Sequence, residues 1–517
     1  MATDPTTPSD GHHGGLHELE MQRREKRSAA AALGLSVYGE ATPGLVSLST
    51  AAAAYDAAAD EEFKSKGKEP GYADRRPVVS VAGRVILHRD NGKLIWMNLR
   101  DHSGDLQVAV SQRECDKAGF DLSKLTDLGD VLVVKGPLVK TRTGETTIWA
   151  SQVRPGAKCL APPPEKHAGL QDVEIRYRQR YVDLWANPET LRVFEQRSRI
   201  VSCLRRELDR RGFLEVETPM LQTLAGGAAA RPFVTHMNAL DIDLFLRIAP
   251  ELYLKRLLVG GLPRVYEINR NFRNEGLDKQ HNPEFTMLEV YQAFGNVESV
   301  MALTEDLVRL AAAEVGGGEL RLPFGELMVD YGSPFARIPY GELFERALGF
   351  SMDDNARARD EAKNRGILGA EALKKIDDVF VINELFEECA EKSIDPARPT
   401  FITDYPAAIS PLTRPKRDNP KLADRADLFI AHMEVAPHYT ELNDPDVQEA
   451  KLREQLTGLD DEESTFRTFD ADFIRALKVG MPPAGGLGLG IDRLAMLLTN
   501  QRTIRDVVLF PMMRPEE

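Results

Sequence analysis

At 517 residues, 42% hydrophobic and 28% charged, the chain has the composition of a soluble globular protein too long for one compact core. No run approaches the ~18 apolar residues of a membrane span, and the opening MATDPTTPSDGHHGG has neither a basic nor an apolar export region, so no membrane partner and a cytoplasmic location are expected. A net charge of −14 speaks against a polyanion-binding chain as a whole, and Cys115, Cys159, Cys203 and Cys389, with no CxxC pair, argue against structural zinc or a disulfide framework.

Residues 1–15, rich in Gly, Pro, Thr and His, are expected to be disordered. Leu16 to Leu33 predicts a helix stopped at Gly34, and Thr50 to Lys66 a second, Ala-rich one. From Pro77 to Val153 the texture turns to five short β segments, the last of them ETTIWASQV, separated by Gly and Asp turns. Five such strands predict a small barrel, with an OB-fold as the leading form. Between Arg75 and Pro155 thirteen Lys and Arg face nine Asp and Glu, a local balance of +4 in an acidic chain, which suits a module that meets a polyanion. Trp96 lies among Arg89, Lys93 and Arg100; a core position and a platform for a base are both open to it.

The proline-rich APPPEK, Ala161 to Lys166, marks a domain boundary. The expected division is an N-terminal extension over 1–62, an all-β barrel over 63–160, a linker over 161–180 and a larger domain over 181–517. In that domain Ile200, Leu204 and Leu208 form one helical stripe ahead of a Gly212 stop. FLEVETPML reads as a strand broken by Pro219, an edge free to pack against another subunit. Strands and helices alternate without a βαβ rhythm, so the class is α+β, built on an antiparallel sheet.

Two segments carry polar groups where a sheet wants apolar ones. Around FRNEGLDKQHNPEF, Glu267, Asn269, Asn271 and Arg273 share one strand face, and Phe285, Met287, Glu289 and Tyr291 share a face of the next strand. Such a face is costly to bury unless every group is partnered, so it is either a salt-bridged network or the floor of a site for an anionic ligand. In AGGLGLGIDRLAMLL, Gly486, Gly488 and Gly490 alternate along a strand that leads to a helix bearing Arg493; either a bulged strand or close approach of a ligand explains them. The spacing matches neither GxGxxG nor GxxxxGK[ST]. In DLFIAHMEVAPHYTELNDP, Asp427, Glu434 and Glu441 recur every seven residues. Carboxylates of this kind could hold Mg²⁺, pair with a cationic substrate, or simply be solvated.

FLEVETPM, FRNEGLDKQHNPEFTMLEVYQAF and GLGLGIDR resemble motifs 1, 2 and 3 of the class II aminoacyl-tRNA synthetases. The segments RYRQRYVDL, GGAAARPF, RIAPELYLKR, YTELNDP and RTIRDVVLFPMMRP are similar to the lysine-specific members in particular, and the likeness runs from about Val78 to Pro515. The resemblance implies a class II catalytic domain behind an anticodon-binding OB-fold, joining L-lysine to tRNA(Lys) at the expense of ATP, with Mg²⁺ as cofactor and a homodimer meeting near Pro219. Carried over residue by residue, it implies that Arg273 and Arg493 are catalytic. Arg273, Glu275, His281, Phe285, Gly490 and Arg493 would bind ATP. Gly227, Glu251, Arg273, Tyr291 and Glu441 would bind lysine, the last two at its ε-ammonium. Asp427 and Glu434 would hold the metal, and Arg89, Trp96, Gln107 and Glu145 would read the anticodon. Where many bacterial relatives carry a Gly-Asn-Gly-type segment this chain has Ala436, Pro437 and His438, and Asp427 stands in place of their Glu. A lysine-transferring paralogue that modifies a translation factor typically lacks the barrel, and a silent RNA-binding relative would not be expected to keep Arg273, Glu434 and Arg493.

Overall fold

The structure, a computed structural model, describes residues 13–162, 170–228, 230–454 and 469–516. Most of the segment 1–15 and of the APPPEK linker lies outside them. The chain divides into two compact units, Met1–Leu191 and Arg192–Glu517.

In the first unit helix α1 (His13–Ala32) lies against the barrel through its basic face. Arg23 donates to the carbonyls of Leu128 and Cys159 at 3.1 and 2.8 Å, and Lys26 pairs with Asp127 at 2.5 Å. The single helix expected over Thr50 to Lys66 is two, α2 (Leu48–Ala53) and α3 (Ala57–Lys66). Asp56 separates them: its carboxylate accepts from the backbone N–H groups of Ala58 and Ala59 and starts α3 afresh. The barrel strands are β1 (Val78–Asp90), β2 (Leu94–Asp101), β3 (Gly104–Ser111), β4 (Val131–Lys140), β5 (Thr146–Ala150) and β6 (Gln152–Ala157), with α4 (Lys117–Leu125) between β3 and β4. Their order is β1-β2-β3-β5-β4-β6, and a second pairing of β1 with β4 closes the ring. The expected last strand is interrupted at Ser151, where its antiparallel pairing with β4 shifts by one residue: Leu138 faces Ile148 in β5 and Lys135 faces Gln152 in β6. Ile95, Met97, Leu99, Val108, Val110 and Ile148 fill the interior, as period-two alternation requires. Residues 181–191, expected at the head of the larger domain, belong to this unit, where Arg100 donates to the Trp185 carbonyl at 3.3 Å.

The second unit is built on an eight-stranded sheet. Its strands are β7 (Leu214–Glu215), β8 (Arg264–Phe272), β9 (Glu284–Ala293), β10 (Ala336–Pro339), β11 (Thr400–Thr403), β12 (Arg425–Ile430), β13 (Met433–Thr440) and β14 (Ala484–Gly490). Their order is β10-β11-β12-β13-β14-β9-β8-β7, antiparallel except for the two outermost pairs. The strand expected over FLEVETPML shrinks to β7 before Pro219 interrupts it. Helices α5 (Pro188–Arg210), α7 (Val297–Gly316) and α8 (Ile491–Leu498) pack on one face. Ile200, Leu204, Val300, Leu307 and Leu494 meet Tyr266, Leu288, Val290, Leu487 and Leu489 there in one core. Chain α5 ends before Gly212, whose φ of +77° is the left-handed geometry that stops a helix. On the other face α6 (Glu251–Val259) covers only the Val265–Tyr291 end of the sheet. The polar strand residues line what it leaves open.

Candidate active site

β8 and β9 pair so that Glu267 faces Glu289, Asn269 faces Met287 and Asn271 faces Phe285, all on the face that strand parity marks. Glu267 is fully employed: Arg247 donates to one of its oxygens at 2.6 Å and the Thr218 hydroxyl to the other at 2.7 Å. Its neighbours are not. Oδ1 of Asn269, both side-chain polar atoms of Asn271 and Nε of Arg273 are buried with no hydrogen-bond partner. A network built for stability alone would have closed on itself. Unfilled donors and acceptors on a buried floor belong to a ligand site.

β14 lies between β9 and β13, with Gly486 opposite Tyr291 and Gly488 opposite Glu289. A Cβ at Gly486 would overlap Oε1 of Glu441 and stand 2.7 Å from the Tyr291 ring, and one at Gly488 would stand 2.7 Å from the end of Met287. These two glycines keep the floor thin. Gly490 is different, since its nearest neighbour would be an ordinary 3.5 Å away; it serves as the N-cap residue of α8.

At one end of the floor Glu251 and Glu441 meet over Lys255. The Lys255 ammonium donates to Oε1 of Glu251 at 2.6 Å and stands 2.5 Å from Oε2 of Glu441. Neither oxygen of Glu441 receives an aligned hydrogen bond. Burial pushes the Glu441 carboxyl above its usual range, with Lys255 opposing the rise and Glu251 adding to it. Gly227, at φ +85°, would place a Cβ 3.1 Å from that of Glu251. Tyr291 is buried beside them, its hydroxyl 3.4 Å from Oε2 of Glu289. Burial lifts Glu289 to about 8, and Glu251 and Glu267 add repulsion. Five of the residues expected around lysine are thus Gly227, Glu251, Tyr291 and Glu441 at this end and Arg273 farther along the floor.

At the other end the Arg273 guanidinium lies 5.1 Å from the centroid of the Phe285 ring. Burial lowers its pKa although Glu275, Glu289 and Glu434 hold it charged. His281 takes Asp278 at Nδ1, 2.8 Å away, so its Nε2 is left to accept from Nη2 of Arg493 at 3.0 Å. Arg493 also donates to the Glu434 carbonyl at 2.5 Å. Glu275 sits out on the loop, 3.3 Å from the backbone N–H of Arg231. Asp492 has turned the other way, accepting from Thr286 N–H at 2.7 Å and from Arg197 at 2.5 Å, which ties α8 to β9 and aims Arg493 into the cleft.

Asp427 is held on both oxygens by Arg425, at 3.1 and 2.6 Å. Glu434 opens to the cleft. Desolvation there and the nearby Asp427 raise its pKa, while Arg493, Arg425 and Arg273 oppose the rise. A third carboxylate, Glu391, joins them from the start of a 3-10 turn, Glu391–Ser393, and burial with repulsion from Glu434, Glu387 and Asp427 lifts it to about 7. Among the described residues no three His, Cys, Asp or Glu side chains are placed to hold a metal by themselves. Pro437 lines the floor over Gly488. His438 points away, bonding the Ala426 carbonyl at 3.1 Å and the Thr304 hydroxyl at 2.7 Å, and burial lowers its pKa to about 3.

On the barrel, Arg89 faces Trp96 across β1 and β2, and Gln107 faces Asn98 across β2 and β3. Trp96 is half-buried on the outer surface and meets Trp149 edge to face, with centroids 6.4 Å apart. Gln107 accepts from the Thr147 hydroxyl at 2.8 Å, and Glu145 is exposed at the turn into β5. Sequence reasoning missed Lys255, Glu391 and Trp149. Lys255 is legible afterwards as the residue one helical turn beyond Glu251, and Trp149 as the outward neighbour of Ile148. Glu391 has no periodic signal at all.

Two family models match the chain: tRNA synthetases class II (D, K and N) over residues 172–514 and an OB-fold nucleic acid binding domain over residues 79–155. A lysine–tRNA ligase of Pelotomaculum thermopropionicum is 47% identical over 446 residues, covering 86% of this chain and 87% of its own. One from Carboxydothermus hydrogenoformans is 48% identical, covering 85% and 89%. One from Ectopseudomonas mendocina is 47% identical, covering 88% and 89%.

Proposed function

The chain belongs to the class II tRNA synthetases, among the lysine–tRNA ligases, and from that premise we propose how its residues divide the work. It activates L-lysine with ATP to lysyl-adenylate and transfers the lysyl group to tRNA(Lys). The observation that carries the division of roles is Glu441: a buried carboxylate whose Oε2 meets Lys255 and whose Oε1, cleared by Gly486, has no hydrogen-bond partner. A site of the same group that takes aspartate or asparagine would instead present a cation or an amide there.

Lysine lies along the floor with its ε-ammonium at Glu441 and Tyr291 and its α-amino group at Glu251 and Gly227. Its carboxylate reaches Arg273, where the unpartnered Nε stands ready for an anion. That carboxylate is ionised at neutral pH, so its attack needs no general base. One of its oxygens bonds to the α-phosphorus of ATP as the bond from that phosphorus to the bridging oxygen breaks, and pyrophosphate leaves with the electron pair. Positioning and charge neutralisation supply the rate: Arg273 on the α-phosphate and Arg493 on the terminal phosphate. Phe285 offers its ring to adenine, and His281 and Glu275 hold the loop across the nucleotide. A terminal ribose hydroxyl of tRNA then attacks the carbonyl carbon and AMP departs.

The carboxylates suit Mg²⁺, which keeps its waters and binds through one or two side chains plus substrate phosphates. Glu434 would be the accessible ligand, with Glu391 behind it; Asp427 could join only by sharing its oxygens with Arg425. When bound, the ion supplies neutralising charge to the phosphates.

The anticodon meets the outer barrel face at Arg89, Trp96, Gln107 and Glu145. A homodimer forms about Pro219, a reading supported by exposed apolar side chains at Leu214, Met220, Leu221 and Val234. Among the described residues no helix is long and apolar enough to cross a membrane, and tRNA charging points to the cytoplasm as the place of work.

Lysine-dependent exchange of pyrophosphate into ATP, followed by charging of tRNA(Lys), tests the assignment. Exchange with aspartate and none with lysine would sink it.

A further inference from the structure

Lys255 already occupies part of the space between the two carboxylates that are to receive lysine. Its side chain is wholly buried, one turn along α6 from Glu251. An ammonium removed from water persists only where charged partners compensate it, so its position is set by those partners. Burial opposes its charge, and Glu251 and Glu441 more than offset that, holding its pKa above the usual range. The two contacts are unlike. Toward Glu251 the ammonium makes an aligned hydrogen bond; toward Glu441 it forms a close ion pair with Oε2 at 2.5 Å and leaves Oε1 to accept from a further donor. The groups that face Glu441 are Lys255, Glu251 and Tyr291, with the bare backbone of Gly486 on the remaining side. Two carboxylates and one ammonium leave a single net negative charge at this end of the floor.

We propose that Lys255 is a positioning residue for substrate specificity: its fixed ammonium holds Glu441 as a carboxylate turned toward the pocket, so that the empty site shows one unmet negative charge to the substrate side chain. This rests on the reading that Glu441 receives the ε-ammonium. Without Lys255, Glu251 and Glu441 are like charges side by side in a buried site, and such a pair takes up a proton. A protonated Glu441 would no longer distinguish an ammonium from a neutral group of the same shape.

The test is Lys255→Met, which keeps the unbranched side chain one atom shorter and removes its charge. In ATP–pyrophosphate exchange at pH 7, KM for lysine rises at least tenfold, KM for ATP stays within twofold, and the lysine defect narrows as the pH is raised to 9 and the added proton is drawn off. An unchanged or lower KM for lysine, or a defect equal at both pH values, overturns the proposal. Because Lys255 is to act through Glu441, adding Lys255→Met to Glu441→Gln changes KM for lysine no further; a second tenfold loss overturns it. The double variant, lacking both charges of that contact, also serves if the single one does not fold. Failure of the underlying reading looks different: Glu441→Gln alone would then leave lysine use intact.

Discussion

Arg493 and His281, 212 residues apart in the chain, share a hydrogen bond across 3.0 Å, the guanidinium donating to Nε2 of the ring. The ring can accept only because Asp278 takes the other nitrogen at 2.8 Å. The long charged loop between β8 and β9 is thereby fastened to the start of α8. Arg493→Ala is expected to lower the exchange rate by roughly 10²–10³, the scale of losing a charge donor at a transition state. His281→Ala removes one hydrogen bond to a charged group, toward the low end of about 1.5–3 kcal/mol at this exposed site, and costs roughly tenfold, seen first in KM for ATP. Equal effects of the two variants would mean that the loop, rather than the arginine, carries the nucleotide contact.

Gly486→Ala drives a methyl group into Oε1 of Glu441 and against the Tyr291 ring, both buried. Overpacking of this kind costs about 1–3 kcal/mol of stability. The sharper effect falls on lysine, with KM raised tenfold or more and KM for ATP little changed. Gly488→Ala is milder, because the atom in its way is the flexible end of Met287. Steady-state exchange with each substrate varied in turn separates these outcomes.

How much of this was readable beforehand depends on what each residue answers to. The polar floor was, because a strand has a period of two and Glu267, Asn269 and Asn271 break it together. The helix at Ile200, Leu204 and Leu208 was, from its apolar spacing. The break at Ser151 was not: ETTIWASQV has unbroken β texture, and only the one-residue shift in its pairing with β4 reveals it. Nor was the break at Asp56, where one capping carboxylate outweighs a run of good helix formers. Lys255 escaped because its neighbours in sequence read as an amphipathic helix, and a buried lysine becomes visible only when the carboxylates from α6 and from the end of β13 converge on it. His438 went the other way: beside the site in sequence, it serves the core under α7.

Glu289 makes stability depend on pH. Its carboxyl, near 4.5 when unfolded, is raised to about 8 by burial. Between those values the folded state holds a proton that the unfolded state has released, so this contribution is complete below about pH 4.5 and is lost as pH rises through 8. One proton corresponds to a slope of about 1.4 kcal/mol per pH unit at most. Glu289→Gln, which keeps the shape and cannot ionise, should flatten that slope and gain stability relative to the parent above pH 8. Denaturant midpoints measured from pH 5 to 9 check it; identical slopes would place the group in a wetter setting.

The paired carboxylates should separate by function. Asp427→Asn leaves Arg425 without a full countercharge, and breaking such a pair costs about 3 kcal/mol or more. Its loss should appear in the melting temperature before it appears in the Mg²⁺ requirement. Glu434→Gln, which removes no ion pair inside the fold, should melt like the parent and demand far more Mg²⁺ for exchange. Titration of exchange against Mg²⁺, beside thermal melts, decides it. The opposite pattern would make Asp427 the principal ligand.

Trp96 tests the barrel independently of the chemistry. Its ring lies on the outer face, opposite Arg89, with the edge of Trp149 against it. A ring that were core would take its neighbours down with it; this one is half-buried above an interior already filled by Ile95 and Met97. Stacking of a base on such a ring is worth about 1–3 kcal/mol, so Trp96→Ala should raise KM for tRNA(Lys) by ten- to a hundredfold. Lysine-dependent exchange, which needs no tRNA, should stay at the parental rate. Trp149→Phe keeps a ring edge beside Trp96 and should cost less. Its indole N–H, buried without a partner, is the one polar group it would lose, so any deficit beyond a few-fold would mark that N–H as a direct contact to the nucleic acid.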